Sequence, residues 1–135
     1  MASIRKEIVI AARPDEVWAA IRDVGAVHQR LAVGFVTDTR MEDGVRVVTF
    51  ANGFVARERI VDVDDQTRRL AYAAAGGQLT HHNASFQVFA DGNGGSRVVW
   101  LADLLPDELE PVIDGMMERG ASAMKETLGQ QEMHL

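Results

Sequence analysis

Between about residue 33 and residue 104 the sequence is cut at nearly even intervals by turn signals. They are Asp43-Gly44, Asn52-Gly53, Asp64-Asp65-Gln66, Gly76-Gly77 and the run from Asp91 to Gly95. The segments between them alternate apolar and polar residues, which is how a half-buried strand reads. Turns at roughly 10-residue spacing leave room for strands joined by short loops, so this stretch predicts six antiparallel strands in a meander.

The flanks complete the layout. IRKEIVIAA, just after Ser3, predicts one more strand. ARPDEVWAAIRDVG follows and predicts a helix. Pro14 suits its first position, Asp15 and Glu16 suit its positive end, and Gly25 suits its stop. A short helical turn is expected around His28 to Leu31. After the strands, Leu109, Val112, Ile113, Met116, Met117, Gly120, Ala123, Met124 and Leu128 fall near helical spacing and predict one long amphipathic helix. Pro111 sits at its start, so either the helix begins there or a separate turn precedes it. Gly120 and Ala123 in the apolar stripe would let another element approach closely. The class is therefore α+β, with an antiparallel sheet packed on a C-terminal helix. With 135 residues, one domain spanning residues 1–135 is expected.

Composition narrows the function classes. A net charge of −6 disfavours nucleic acid and anionic membrane surfaces, which select basic patches. No segment has the ~20 apolar residues of a membrane span, and MASIRKEIVIAARPDEVW lacks the apolar run of a signal peptide. With no cysteine, disulfides and thiolate chemistry are excluded, so a cytoplasmic location is expected. No metal site is expected either: His81 and His82 are adjacent in a strand and point to opposite faces, and His28 and His134 are far off in sequence. No cofactor-binding fingerprint occurs, and the glycine-rich DGNGGS joins two strands without opening a helix.

One strand poses a problem. In FVARERIVDVDD, residues Phe54, Ala56, Glu58 and Ile60 share a face, and Val55, Arg57, Arg59 and Val61 share the other. The arginines belong to water, so Glu58 falls on the apolar side. A carboxylate there must be paired, hydrogen-bonded or protonated. The neighbouring strand offers Arg46. A three-residue loop would oppose Phe50 to Phe54 and Arg46 to Glu58, whereas a two-residue Asn52-Gly53 loop would send Arg46 to the other face. The same arithmetic around the next loops opposes Val63 to Arg69, Ile60 to Tyr72 and Glu58 to Ala74. It also opposes Ala90 to Ser96, Phe86 to Trp100 and His82 to Leu104. Ala84, Phe86, Val88, Val98 and Trp100 then share an apolar face with His82 near its open end.

This order of elements, with ARPDEVW, then Arg46 before TFANG, then RERIVDVDDQTRRLAY, then Gly76-Gly77, then the stretch from Trp100 to Pro106, resembles the START-like (SRPBCC) superfamily and its polyketide cyclase/dehydrase group. The resemblance implies a helix-grip fold: a curved seven-stranded antiparallel sheet wrapped around a long C-terminal helix, with a deep cavity between them. In relatives an arginine and a glutamate at matching positions face that cavity, which favours the three-residue loop. The resemblance further implies a small hydrophobic or aromatic ligand, lipid- or polyketide-like. Its candidate contacts are Arg46, Glu58, Tyr72, His82, Phe86 and Trp100, with Met116 and Met117 over the mouth. Aromatic walls with a few polar tips suit a flat, partly apolar molecule. Cyclase- or dehydratase-type acid–base chemistry is one use of such a site, with no catalytic residue assigned. The alternative is a protein-interaction module of the same fold, such as a chaperone regulator, with a small sealed interior and an exposed apolar patch around Phe89 or Val55.

Overall fold

The computed structural model describes residues 2–133, with side chains through residue 129. Strand β1 (Ala2–Ile10) leads into helix α1 (Pro14–Arg22) and a single π-helical turn (Val27–Leu31). Six strands follow: β2 (Val36–Glu42), β3 (Val45–Phe50), β4 (Val55–Asp64), β5 (Arg69–Ala75), β6 (His81–Ala90) and β7 (Ser96–Leu105). A 3₁₀ turn (Asp107–Leu109) precedes helix α2 (Glu110–Met133). Both readings of Pro111 thus hold in part, since a separate turn comes first and proline occupies the opening turn of the helix proper, where its missing N–H is harmless.

The strands form one antiparallel sheet in the order β1-β7-β6-β5-β4-β3-β2. Only β1 is out of sequence order, added at the β7 edge with Ile4 opposite Ala102 and Ile8 opposite Val98. The other pairings are between consecutive strands, as evenly spaced turns require. The sheet curves around α2, which makes this the helix-grip fold. One contiguous core joins Ile8, Ile10 and Val98 from the sheet to Val17 and Ile21 of α1 and to Met117, Met124 and Leu128 of α2. Helix α2 is also held at the sheet edge by polar contacts, since Lys6 of β1 reaches both Asp114 at 2.7 Å and Glu118 at 2.8 Å.

Two details depart from expectation. Helix α1 ends at Arg22, before Gly25. Asp23 leaves helical geometry and its carboxylate accepts a 2.8 Å bond from Arg30, which ties the helix end to the π turn. Second, Val63 pairs with Leu70 and Asp64 with Arg69, one residue out from the Val63–Arg69 pairing. Asp64 closes the turn itself, its Oδ1 accepting from the backbone N–H of Gln66 at 3.0 Å. An irregularity between Ile60 and Asp62 absorbs the extra residue, so Ile60 still faces Tyr72 and Glu58 still faces Ala74.

The loop that decides the face of Arg46 has three residues, 51–53. The Phe50 N–H donates to the Phe54 carbonyl at 2.8 Å, and Arg46 lies opposite Glu58. Gly53 has φ +88°, the left-handed position such loops place last. The side chain of Asn52 accepts from the Phe54 N–H at 2.9 Å. A β-branched residue at position 53 would be strained. Gly53→Val is expected to lower stability by about 1–3 kcal/mol, and Gly53→Asn by clearly less, in urea unfolding monitored by circular dichroism.

Candidate functional site

Pairing of β3 with β4 puts Arg46 and Glu58 side by side on the concave face. Arg46 is 3% exposed. Its Nε donates to Glu58 Oε1 at 2.9 Å, and its Nη2 lies 2.8 Å from the same oxygen. The guanidinium fork therefore converges on one carboxylate oxygen. Glu58 Oε2 takes no hydrogen bond among the described residues. Arg46 Nη1 is buried with no hydrogen-bond partner among them. The guanidinium also lies over the Tyr72 ring, 5.3 Å from its centre. Arg57 and Arg59 are exposed on the opposite face, as the alternation of β4 requires.

Tyr72 continues the floor on β5. Its ring stacks on Phe86 at 5.9 Å, and Phe86 stacks on Trp100 at 4.7 Å. Trp100 Nε1 donates to the Tyr72 hydroxyl at 3.1 Å. That hydroxyl therefore accepts once, and its own proton has no acceptor among the described residues. Burial, with Glu58 nearby, pushes the phenol well above its ordinary value of 10.0. Tyr72 thus keeps its proton at neutral pH. His82, on β6, lies 6.1 Å from Tyr72 between ring centres, and its Nδ1 is buried without a partner among the described residues. Burial pushes the imidazole below its ordinary 6.5.

These side chains open onto one cavity of about 440 Å³ between the sheet and α2. Arg46, Glu58, Tyr72, His82, Phe86, Trp100, Met116 and Met117 all line it, so the eight candidate contacts named from the sequence border the same space. The lining also includes residues that the sequence did not single out. Phe35, Phe50 and Phe54 form a cluster, with Phe35 edge-on to Phe50 at 5.2 Å and Phe50 stacked on Phe54 at 6.0 Å. Phe50 and Phe54 were within reach, because period two puts them on the face of Arg46 and Glu58. Phe35 follows the π turn and carries no periodic signal. At the rim, Phe54 is 42% exposed and Val112 60% exposed.

Gly120 explains how the helix and the sheet fit. A Cβ there would lie 3.1 Å from the Trp100 ring and 3.2 Å from Phe35. The small residue expected to admit a close neighbour admits these two rings. Trp100 consequently slides under α2 while its indole N–H still reaches Tyr72.

His81 is placed outward beside Asn83, and no cluster of three or more metal-ligating side chains occurs among the described residues. His134 lies outside those residues. No helix among them is long and apolar enough to cross a membrane.

The comparisons agree with this architecture. Residues 1–130 match the family model described as polyketide cyclase / dehydrase and lipid transport. The chain belongs to that family. No curated protein matches the sequence. Among solved structures, the XoxI protein of Bacillus cereus superimposes with a TM-score of 0.85 at 20% identity, covering 98% of this chain and 99% of that one. A Thalictrum norcoclaurine synthase point mutant, in complex with a transition state analogue, gives 0.74 at 21% identity, covering 97% and 96%. The di-domain ARO/CYC BexL of the BE-7585A biosynthetic pathway gives 0.80 at 17% identity, covering 94% of this chain and 46% of that one. At these identities the likeness establishes the shared helix-grip fold.

Two outcomes follow from the site. Removing one member of a buried ion pair strands the other, so Arg46→Met should cost about 3–5 kcal/mol in urea unfolding. The double variant Arg46→Met, Glu58→Met should recover most of that loss. The second concerns pH. Folding lowers the His82 pKa, so the unfolded chain binds a proton that the folded chain resists. Stability from this source is complete above the ordinary value of 6.5 and is lost as pH falls towards the folded value. The melting temperature should therefore drop as pH falls below about 6.5, and His82→Gln should flatten that drop.

Proposed function

We propose that this family member binds a small hydrophobic or aromatic molecule, lipid- or polyketide-like, between its sheet and α2. The observation that carries the reading is the cavity of about 440 Å³, apolar over most of its wall, with Arg46 Nη1 and His82 Nδ1 buried beside it without a hydrogen-bond partner among the described residues. That volume suits a small organic ligand. Core packing alone leaves few voids larger than a water molecule. Arg46, Glu58, Tyr72 and His82 would meet the polar end of the ligand. Phe86 and Trp100 would meet its flat portion, and Met116 and Met117 would adapt to its outline. The family description and the structural likeness to norcoclaurine synthase and to BexL support a small-molecule role within one domain. If the protein is a cyclase or dehydratase, Glu58 Oε2 is the available proton acceptor and Tyr72 the fixed donor.

A protein-interaction role calls for a sealed interior and an apolar outer patch. Phe89 on the outer face is covered by Arg97, whose guanidinium lies 4.9 Å from the ring centre, and Val55 is 49% exposed there, but the interior is open and not sealed. The ligand reading is therefore preferred.

A panel of lipids, polyketides and aromatic compounds should contain members that raise the melting temperature by several degrees. Ala56 lines the cavity, so Ala56→Phe should weaken those ligands about tenfold or more while the protein remains folded. If no compound shifts the melting temperature of the wild-type protein, the reading fails.

A further inference from the structure

The polar floor has an unusual charge arrangement for a site with a buried arginine. A guanidinium in a cavity ordinarily suggests capture of a carboxylate or phosphate. Here the guanidinium is already neutralised, with Nε and Nη2 both directed at Glu58 Oε1. What remains unpaired is Arg46 Nη1, buried without a partner among the described residues, and the proton of the Tyr72 hydroxyl. Beside them stands the second carboxylate oxygen of Glu58. The floor thus offers two N–H or O–H donors and one acceptor, while its net charge is zero.

A ketone, enol or phenol oxygen can accept from such a donor, and an enol or phenol hydroxyl can also donate to Glu58 Oε2. Such a ligand leaves the floor neutral. A carboxylate would bring one negative charge beside Glu58 in a mostly apolar space, with only one cation for two anions. Like charges brought together under burial resist one another strongly. Tyr72 cannot compensate, since it contributes a dipole and no charge. The His82 ring centre lies 6.1 Å from that of Tyr72, and burial favours its neutral form.

Resting on the ligand-binding reading above, we propose that the floor selects neutral oxygen-bearing ligands, such as ketones, enols and phenols, over organic anions, and that Glu58 sets this preference. Removing its charge would convert the same floor into an anion site, because Arg46 would then be uncompensated.

The test uses two probes on one ring system, 2-acetonaphthone and 2-naphthoate, at neutral pH. Each competes with the fluorescence of bound N-phenyl-1-naphthylamine. In the wild-type protein the ketone should displace the dye at a concentration at least about tenfold lower than the carboxylate. In Glu58→Gln, 2-naphthoate should gain affinity and the ketone-to-carboxylate preference should fall at least about tenfold. A purely structural role for Glu58 would weaken both probes together, so the ratio separates the two cases. Wild-type preference for 2-naphthoate overturns the proposal. So does a ketone-to-carboxylate ratio unchanged in Glu58→Gln, or failure of both probes to displace a bound dye. If neither the dye nor any probe binds, the ligand-binding reading falls as well. Should Glu58→Gln not fold, as judged by circular dichroism, Glu58→Ser removes the same charge and carries the same expectations.

Discussion

In an antiparallel sheet each side chain has two destinations, and a neighbouring loop chooses between them. Residues 51–53 make that choice for the centre of this protein. Their three-residue count opposes Arg46 to Glu58. It also places Phe50 and Phe54 on the same concave face. A loop shorter by one would send the arginine outward and leave a carboxylate buried alone, a state that proteins avoid. Ion pair, cavity floor and rim aromatics therefore depend on one register. Gly53 makes that register accessible by adopting a backbone conformation that other residues resist.

Much of this was legible in the sequence because it depends on periodicity and counting. Evenly spaced turn residues gave the meander. Period two assigned faces, and loop arithmetic predicted the pairing of His82 with Leu104 and Phe86 with Trp100, both of which the structure has. Other features depend on information that a single strand does not carry. The slip at Val63 arises from the Asp64 side chain capping its own turn, and the compensating irregularity near Val61 leaves no pattern in composition. Phe35 enters the cavity from an irregular segment, where no period applies. The loop length of residues 51–53 was decided only by the requirement that Glu58 have a partner, supported by a family likeness. How the guanidinium would sit on the carboxylate was beyond sequence, because two adjacent charges can pair in several geometries.

The site combines opposing demands. A well-packed interior would fill the space between sheet and helix and gain stability from contacts that the cavity forgoes. This protein keeps the space and compensates elsewhere. Its closed end is packed by Ile10, Val17, Ile21, Met124 and Leu128, all almost wholly buried. The edge strand holds α2 through Lys6 and two carboxylates. The aromatic stack of Tyr72, Phe86 and Trp100 then forms a rigid wall, whereas Met116 and Met117 opposite supply a wall that can change shape. One side of the cavity is therefore suited to fixing an orientation and the other to tolerating variation in outline.

Gly120 gives this architecture its scale. Because α2 carries no side chain where it crosses Trp100, the indole occupies ground that a methyl group would otherwise take. The ring lies beneath the helix and not farther out in the open space, so the width available to a guest is governed from the helix side by a single missing carbon. Relatives could alter the size of guest they admit through this one position, leaving strand register, loop lengths and the charged floor untouched. Capacity and polarity are in that sense separately adjustable: the first is set where the helix meets the indole, the second where two strands meet across a three-residue loop.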